Sequence, residues 1–178
     1  MKKLKLEDLK RLSEKEFKIA EKNSFVLVLD SIRSLNNVGS IFRTADAFIA
    51  EKIYLCGITG TPPHRDIHKT ALGATETVSW EHRTDIQSLL IELKSDKYRI
   101  ISLEQTNESI MLHKFLPNME EKYAFVIGNE VSGVSDEALN LSEFCLEIPQ
   151  YGTKHSLNVS VATGILVWNY ISNLNSSI

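Results

Sequence analysis

An uninterrupted apolar run, Tyr123-Ala124-Phe125-Val126-Ile127, is followed at once by the polar turn Gly128-Asn129-Glu130. Continuous apolar runs, rather than alternating ones, are typical of strands that are buried on both faces of a parallel sheet. A polar turn directly after such a strand lies at the sheet edge where open α/β folds bind their ligands. The stretch therefore predicts both a buried strand and a candidate binding loop.

Strand-like and helix-like segments alternate along the rest of the chain. Further strands are predicted at Phe25–Leu29, Ile53–Cys56, Thr77–Trp80, Tyr98–Leu103 and Phe144–Ile148. Helices are predicted at about residues 38–48, 86–93, 135–141 and 156–173, and a loop is predicted at 57–66. Strands that alternate with helices form right-handed βαβ units. The pattern thus predicts one α/β domain with a mostly parallel sheet that helices cover on both faces.

The N-terminal segment is dense in lysine. Its spaced apolar residues predict an amphipathic helix within residues 1–22, as an extension of a core domain at 23–178. The cations, with Lys2 and Lys3 at their start, favour contact with a phosphate backbone. Acidic residues are interleaved with them, so the solvated face of an ordinary helix is the alternative.

Size and composition indicate a globular protein. The chain has 178 residues, of which 43% are hydrophobic and 24% charged, as expected for one ordinary domain. No apolar run approaches the roughly 20 residues that cross a bilayer, and the start has no apolar core of signal-peptide length. We therefore expect a cytoplasmic protein without membrane contact. The net charge of −3 argues mildly against a dedicated nucleic-acid binder.

Two further polar junctions accompany the turn at residues 128–130. Asn37 and Arg43 lie in the first, and Ser156-Leu157-Asn158 forms the second. In this order the three segments resemble the motifs of the SpoU/TrmH branch of the SPOUT RNA methyltransferases, over roughly residues 25–168. The resemblance implies methyl transfer from S-adenosylmethionine to a ribose 2′-hydroxyl of RNA, with tRNA as the first candidate and ribosomal RNA as the second. It also implies a C-terminal trefoil knot and a homodimer.

The resemblance also implies a role for individual residues. The catalytic neighbourhood would contain Asn37, Arg43, Glu130, Ser156 and Asn158. The cofactor would be bound by Leu103, Glu104, Gly128, Asn129, Ile148, Gln150 and Leu157. Gln150 departs from the pattern, because the TrmH branch usually has Met there.

The chemistry of the side chains limits which catalytic role each candidate residue can have. Ser156 is placed to cap the last helix, whose free N–H groups and partial positive charge would suit a carboxylate or a forming alkoxide. Arg43 holds its proton too firmly to act as a base, so we expect it to hold a phosphate and stabilise an oxyanion. The proton would then pass to phosphate, Glu130 or water. Gly39, one turn before Arg43, is expected to leave room beside the guanidinium.

Other features have weaker functional interpretations. Arg65 and Lys69 are candidate phosphate contacts, with plain surface charge as the alternative. The last helix is apolar around much of its girth, which favours a two-fold dimer that covers it. The family resemblance also implies a dimer, in which Arg43 would complete the partner's site. His64 and His68 are spaced like zinc ligands, but they have no evident third ligand, so no metal is expected.

Competing functions remain open from the sequence. Neither a P-loop nor a G-x-G-x-x-G sequence is present, which disfavours the common nucleotide enzymes. His155 beside Ser156 does not form a hydrolase elbow. An RNA-binding or assembly module without turnover is the main alternative, and methylation of a small molecule is a third.

Overall fold

The computed structural model describes residues 1–175 of the chain. Its strands are β1 Asn23–Asp30, β2 Ala50–Cys56, β3 Trp80–Arg83, β4 Tyr98–Leu103, β5 Ile110–Met111, β6 Lys122–Ile127 and β7 Phe144–Glu147. Its α-helices are α1 Glu14–Ile19, α2 Leu35–Ala47, α3 Arg65–Ala71, α4 Ala74–Thr77, α5 Ile86–Ser95, α6 Asp136–Leu141 and α7 Val159–Asn175. Short 3-10 helices lie at Leu6–Leu9 and Leu112–Lys114.

The strands form one sheet in the order β3-β2-β1-β6-β4-β7-β5, and its described strand pairs are all parallel. The register pairs Ile127 of β6 with Leu29 of β1 on one side and with Leu103 of β4 on the other. These three strands therefore end side by side. The polar residues that follow them are brought to one edge of the sheet, which confirms the predicted sheet type.

Alternate residues of β1 pack into two separate hydrophobic layers. Phe25, Leu27 and Leu29 lie in the layer covered by α2, α3 and α7. Val26 and Val28 lie in the layer covered by α5 and α6. Burial of each such side chain contributes about 1.5–3 kcal/mol, so both faces of the strand hold it in the sheet. The prediction of helices on both faces is confirmed.

Helix α7 is fastened to the sheet by one aromatic side chain. Tyr170 is 1% exposed, and its ring centroid lies 5.3 Å from those of both Phe25 and Phe125. Edge-on contacts of this kind add about 0.5–1.5 kcal/mol each to the gain from burial. They hold the far end of α7 against β1 and β6, so its first turn lies near the edge where those strands end.

The prediction of one amphipathic helix near the N-terminus is wrong. Lys10 has a positive φ, and Ser13 starts a new helix through a capping box with Glu16. Phe17 is buried, whereas Ile19 is 85% exposed, so the apolar residues do not form one buried stripe. The segment is a 3-10 turn followed by a short helix.

Three other boundaries differ from the sequence predictions. Residues 74–77 are helical, and the strand expected at 77–80 is β3, three residues later. Helix α3 begins at the end of the predicted 57–66 loop. Helix α7 begins at Val159 instead of residue 156.

The knot implied by the resemblance stays a prediction. Within residues 1–175, every helix is too short or too polar to cross a membrane.

Candidate active site at the carboxyl edge of the sheet

A cleft of about 510 Å³ opens where β4, β6 and β7 end. Three connections line it, at residues 103–106, 127–134 and 146–157, together with the first turn of α7. Ligands of open α/β sheets bind at this edge. All seven residues predicted to bind a cofactor line the cleft, namely Leu103, Glu104, Gly128, Asn129, Ile148, Gln150 and Leu157.

The β6–α6 loop is folded back on itself at the cleft wall. Asn129 and Gly133 exchange backbone hydrogen bonds of 2.9 and 3.0 Å. A Cβ at position 128 would overlap the backbone of Gly133 and Val134, so the close return of the chain requires glycine there. The Asn129 side chain adds three hydrogen bonds. Its Oδ1 accepts from Val131 N at 2.8 Å and from Ser132 N at 3.2 Å, and its Nδ2 donates to Ser31 O at 2.6 Å.

Glu104 also shapes this loop. Its Oε2 accepts a hydrogen bond from Val134 N at 2.9 Å, and its Oε1 accepts from Gln105 N at 2.8 Å. Both carboxylate oxygens therefore have backbone partners. The structure places Glu104 in the cleft wall as predicted, and it gives the carboxylate a role in holding the opposite loop.

One line of hydrogen bonds joins the three predicted motifs. Asn158 Nδ2 donates to Asn37 Oδ1 at 3.1 Å, and Asn37 Nδ2 donates to Glu130 Oε1 at 3.0 Å. Glu130 also accepts from the backbone nitrogens of Arg33 and Ser34, at 2.9 and 3.0 Å. The segments that contain residues 37, 130 and 158 thus meet at the start of α2, beside the cleft.

The carboxylate of Glu130 is kept ionised by these contacts. Burial alone would raise its pKa, but hydrogen bonds from Arg33 N, the Asn37 side chain and Ser34 N together hold the pKa below its ordinary value of 4.5. A carboxylate with a lowered pKa and three donors is a weak base. Glu130 is therefore suited to anchoring the start of α2, where a negative charge also interacts favourably with the helix dipole.

Asn158, not Ser156, caps the last helix. Asn158 Oδ1 accepts from Ser160 N at 2.9 Å and from Val161 N at 3.4 Å. The prediction that Ser156 caps α7 is therefore wrong. Ser156 is exposed and lines the cleft, and its hydroxyl has no hydrogen-bond partner within residues 1–175.

Arg43 lies outside the cleft in this chain. It follows Asn37 by six residues, roughly 9 Å along the helix axis. It is exposed and lines a separate concavity of about 500 Å³ between α2 and α3, which Lys69 and Leu72 also line. A single chain therefore brings Asn37, Glu130, Ser156 and Asn158 together and leaves Arg43 apart.

Gly39 serves helix packing, contrary to the prediction that it makes room for Arg43. A Cβ at this position would overlap the carbonyl oxygen of Ile67 and the hydroxyl of Thr70 in α3. Thr70 Oγ1 also donates to Asn36 O at 3.0 Å. The glycine thus allows α2 and α3 to touch.

The remaining candidate residues are on the surface. Lys2, Lys3, Arg65 and Lys69 are exposed and lie outside the cleft. His64 caps the start of α3 by accepting from Asp66 N at 3.1 Å. Within residues 1–175, no group of three or more potential metal ligands comes together.

Sequence reasoning missed Asp30. It is 5% exposed at the end of β1, and its Oδ2 accepts from Ser135 N at 2.8 Å, which ties the β6–α6 loop to a third strand. An acidic residue directly after the apolar run 25–29 was the signal available.

Comparison with known proteins gives a family. The family model described as the SpoU rRNA Methylase family matches residues 24–168. The chain is 35% identical over 147 residues to the 23S rRNA (guanosine-2′-O-)-methyltransferase RlmB of Neisseria meningitidis. The matched stretch covers 80% of this chain and 56% of that protein. The chain spans 56% to 67% of the length of the first curated relatives that it matches.

Solved structures share the fold. The A. aeolicus TrmH/SpoU tRNA modifying enzyme superposes with a TM-score of 0.82 at 25% identity, over 92% of this chain and 82% of that one. An rRNA methyltransferase from Sinorhizobium meliloti, solved with AdoMet bound, gives 0.77 at 23% identity, over 84% of this chain and 56% of that one.

Proposed function

The chain belongs to the SpoU rRNA methylase family, and on that basis we propose that it transfers a methyl group from S-adenosylmethionine to a ribose 2′-hydroxyl of RNA. One observation carries the proposal. The hydrogen bonds from Asn158 to Asn37 and from Asn37 to Glu130 join three distant segments at the mouth of one cleft. A fold kept for RNA binding without turnover would not require this convergence beside a small-molecule cleft.

The cleft fits the methyl donor in size and lining. Its volume of about 510 Å³ lies within the range of roughly 300–1,000 Å³ that small-molecule sites occupy. Leu103, Ile148 and Leu157 supply apolar surface for an adenine ring, and backbone groups near Gly128 supply polar contacts. When bound, the donor supplies an electrophilic methyl group on a sulfonium. The solved S. meliloti relative is described as bound to AdoMet.

The chain's own side chains would orient the ribose so that its 2′-hydroxyl faces the methyl group of the donor. Ser156 is exposed at the cleft wall, and both polar atoms of the Asn158 side-chain amide are hydrogen-bonded. Positioning of this kind supplies much of the acceleration of a reaction between two bound groups. Glu130 fixes Asn37, and both of its oxygens already accept hydrogen bonds from its own chain. We therefore assign the ribose proton to an acceptor that is not engaged in this way, a phosphate oxygen of the RNA or water.

We propose that Arg43 acts from a second subunit. Val161, Ile165 and Trp168 form an apolar stripe on the outer face of α7, with exposed fractions of 51%, 37% and 62%. The ring centroid of Phe48, at the end of α2, lies 6.2 Å from that of Trp168, so the stripe continues toward the helix that contains Arg43. A two-fold dimer would cover the stripe and carry the guanidinium to the partner's cleft, where it can hold a phosphate.

A mixed-subunit experiment tests this arrangement. Arg43→Ala and Asn158→Ala subunits are each expected to be inactive alone. After unfolding and refolding together in equal amounts, half of the dimers are mixed and each has one complete site, so activity should recover to about one quarter of the parental value. If mass measurement detects mixed dimers but no activity is recovered, Arg43 and Asn158 act in the site of the same subunit.

The RNA substrate can be identified from the methylated product. Transfer of a labelled methyl group to unmodified tRNA transcripts, followed by alkaline and nuclease digestion, should leave a labelled dinucleotide that resists hydrolysis at a 2′-O-methylated ribose. We test tRNA first, and ribosomal RNA is the second candidate because RlmB of N. meningitidis is named as a 23S rRNA methyltransferase. Label in neither RNA, with the donor still bound, would favour the silent binding module.

Local cations support an RNA partner. Lys2, Lys3, Arg65 and Lys69 are exposed, and the phosphate backbone of RNA attracts such groups. We place this activity in the cytoplasm, where unmodified RNA is available. Replacement of these cations should weaken RNA binding and reduce its dependence on salt, with no effect on donor affinity.

A further inference from the structure

The loop between β7 and α7 presents an aromatic side chain almost entirely to water. Tyr151 is 95% exposed, compared with 62% for Trp168 in the apolar stripe of α7. No hydrogen bond or ring contact of Tyr151 occurs within the described part of the chain. Single exposed apolar residues are common, so the position of this one determines whether it has a use.

Tyr151 stands at the rim of the cleft. Its neighbour Gln150 lines the cleft, as do His155 and Ser156 on the other side of the same loop. Gln105 Nε2 donates to His155 O at 3.1 Å, which ties this loop to the connection after β4. A substrate strand whose ribose enters the cleft would therefore pass close to Tyr151.

The charge of the loop suits a polyanion. The sequence from Ile148 to Ile178 contains no Asp or Glu, and Lys154 is exposed three residues after Tyr151. Val131, on the opposite wall of the cleft, is 78% exposed. The exposed loop thus presents an aromatic side chain and a cation beside the cleft, whereas the acidic residues Glu104, Glu130, Asp136 and Glu147 line the cleft itself. An aromatic side chain next to a cation is the combination that binds single-stranded nucleic acid through stacked bases and a nearby phosphate.

We propose that Tyr151 stacks on an unpaired base next to the nucleotide that is methylated, while Lys154 contacts an adjacent phosphate. The proposal rests on the proposed function, because it assumes that RNA enters this cleft. RNA-binding proteins commonly stack unpaired bases against aromatic side chains. Such stacking is tolerant of sequence, so Tyr151 would strengthen binding and orient the strand without selecting one base.

The test compares four variants by two binding measurements. Fluorescence anisotropy of labelled, unmodified tRNA transcripts and 23S rRNA fragments gives the dissociation constant for RNA, with S-adenosylhomocysteine present. Calorimetry gives the affinity for S-adenosylmethionine. The variants are Tyr151→Ala, Tyr151→Phe, Tyr151→Leu and, as a matched exposed apolar control outside the cleft, Leu116→Ala, whose side chain is 82% exposed in the parental protein.

Loss of stacking should weaken RNA binding about tenfold in Tyr151→Ala and nearly as much in Tyr151→Leu, with Tyr151→Phe within about twofold of the parental protein. Donor affinity should be unchanged in all four variants, and Leu116→Ala should bind RNA normally. Parental RNA affinity in Tyr151→Ala would overturn the proposal. So would parental affinity in Tyr151→Leu, which has apolar bulk without an aromatic face, or an equal loss of donor affinity.

Failure of the proposed function is distinguishable from failure of this inference. If the parental protein binds RNA and transfers no methyl group, the proposed function fails, and the anisotropy series still decides the role of Tyr151. If the parental protein binds neither RNA, both fail together.

Discussion

Replacement of Glu130 by glutamine distinguishes two roles that this carboxylate could have, an anchor for the start of α2 and a general base. As an anchor, Glu130 accepts hydrogen bonds at both oxygens, from Ser34 N and Asn37 Nδ2 at Oε1 and from Arg33 N at Oε2. Glutamine has one accepting oxygen. If that oxygen keeps the two donors at the Oε1 position, the amide NH₂ faces the N–H of Arg33, and one charge-assisted hydrogen bond is lost.

The structure sets the size of the effect. A hydrogen bond to a charged group contributes about 1.5–3 kcal/mol, and an anion at a helix start contributes about 0.3–1 kcal/mol. Glu130 is exposed, so water can replace part of both contributions. We therefore expect Glu130→Gln to lower the free energy of unfolding by about 1–2 kcal/mol, which corresponds to a melting temperature lower by roughly 3–6 °C for a domain of this size.

The assay combines urea unfolding with steady-state kinetics across pH. The pKa of Glu130 is lowered from 4.5 in the folded protein, so its stabilising effect is complete above that value and disappears as pH falls through the lowered pKa. The stability difference between parental protein and variant should therefore shrink below pH 4.5. Turnover should fall by less than about tenfold, with the shape of its pH profile unchanged, because an anchor does not move the ribose proton.

A general base would behave differently. Its loss typically lowers turnover by about 10²–10⁴-fold and leaves unfolding unchanged. That outcome would contradict the anchor role. Glu120→Gln is the matched control, because Glu120 is an exposed carboxylate whose side chain has no hydrogen bond within residues 1–175 and whose replacement changes the net charge equally.

Substitutions at three other positions test the packing and hydrogen bonds around the site. Gly128→Ala puts a Cβ into the backbone of Val134, so both the urea midpoint and the calorimetric affinity for S-adenosylmethionine should fall, by about 1–3 kcal/mol in stability; unchanged donor affinity would contradict the role of this turn. Gly39→Ala should cost a similar amount of stability through its clash with Ile67, but donor affinity should remain parental because the residue lies away from the cleft. Asn158→Asp keeps the acceptor that caps α7 and loses the amide donor to Asn37, so turnover should drop while the melting temperature stays within about 2 °C of the parental value. Asn158→Ala should also lose about 1 kcal/mol of stability from the missing cap. Equal melting temperatures for the two variants would count against the capping role.

The sequence predicted the buried elements well. The run 98–103 is β4 at the bounds predicted, and the stripe of Val38, Ile41 and Ala45 is buried against the sheet. Apolar runs are informative because strands buried on both faces tolerate few polar residues. Helix α3 was missed because Ile67 and Ala71 are its buried residues, too few to produce a recognisable stripe.

The sequence named residues that line the cleft, but it did not predict how they are arranged, and their roles stay predictions. Ser156 and Asn158 are both good cap residues, and sequence alone could not choose between them because the choice depends on where α7 meets the sheet. One of the two backbone partners of Glu104, Val134 N, lies 30 residues away, and no local pattern encodes such a contact. Arg43 falls outside the cleft of its own chain because a helix carries residues six positions apart to different heights along its axis.

The two walls of the cleft are fastened to different degrees, and this difference bears on how the protein would choose its ligands. The β6–α6 loop is held from three strand ends, by Asp30, Asn129 and Glu104. The opposite wall is exposed at residues 151–157, is tied to Gln105 through His155, and is bounded by the cap at Asn158. A pre-formed wall reduces the ordering that a small ligand must impose, which favours tight and specific binding of the donor. A wall with few internal bonds can adjust to a strand of RNA, and the energy gained there can be used to bring the ribose into line with the donor.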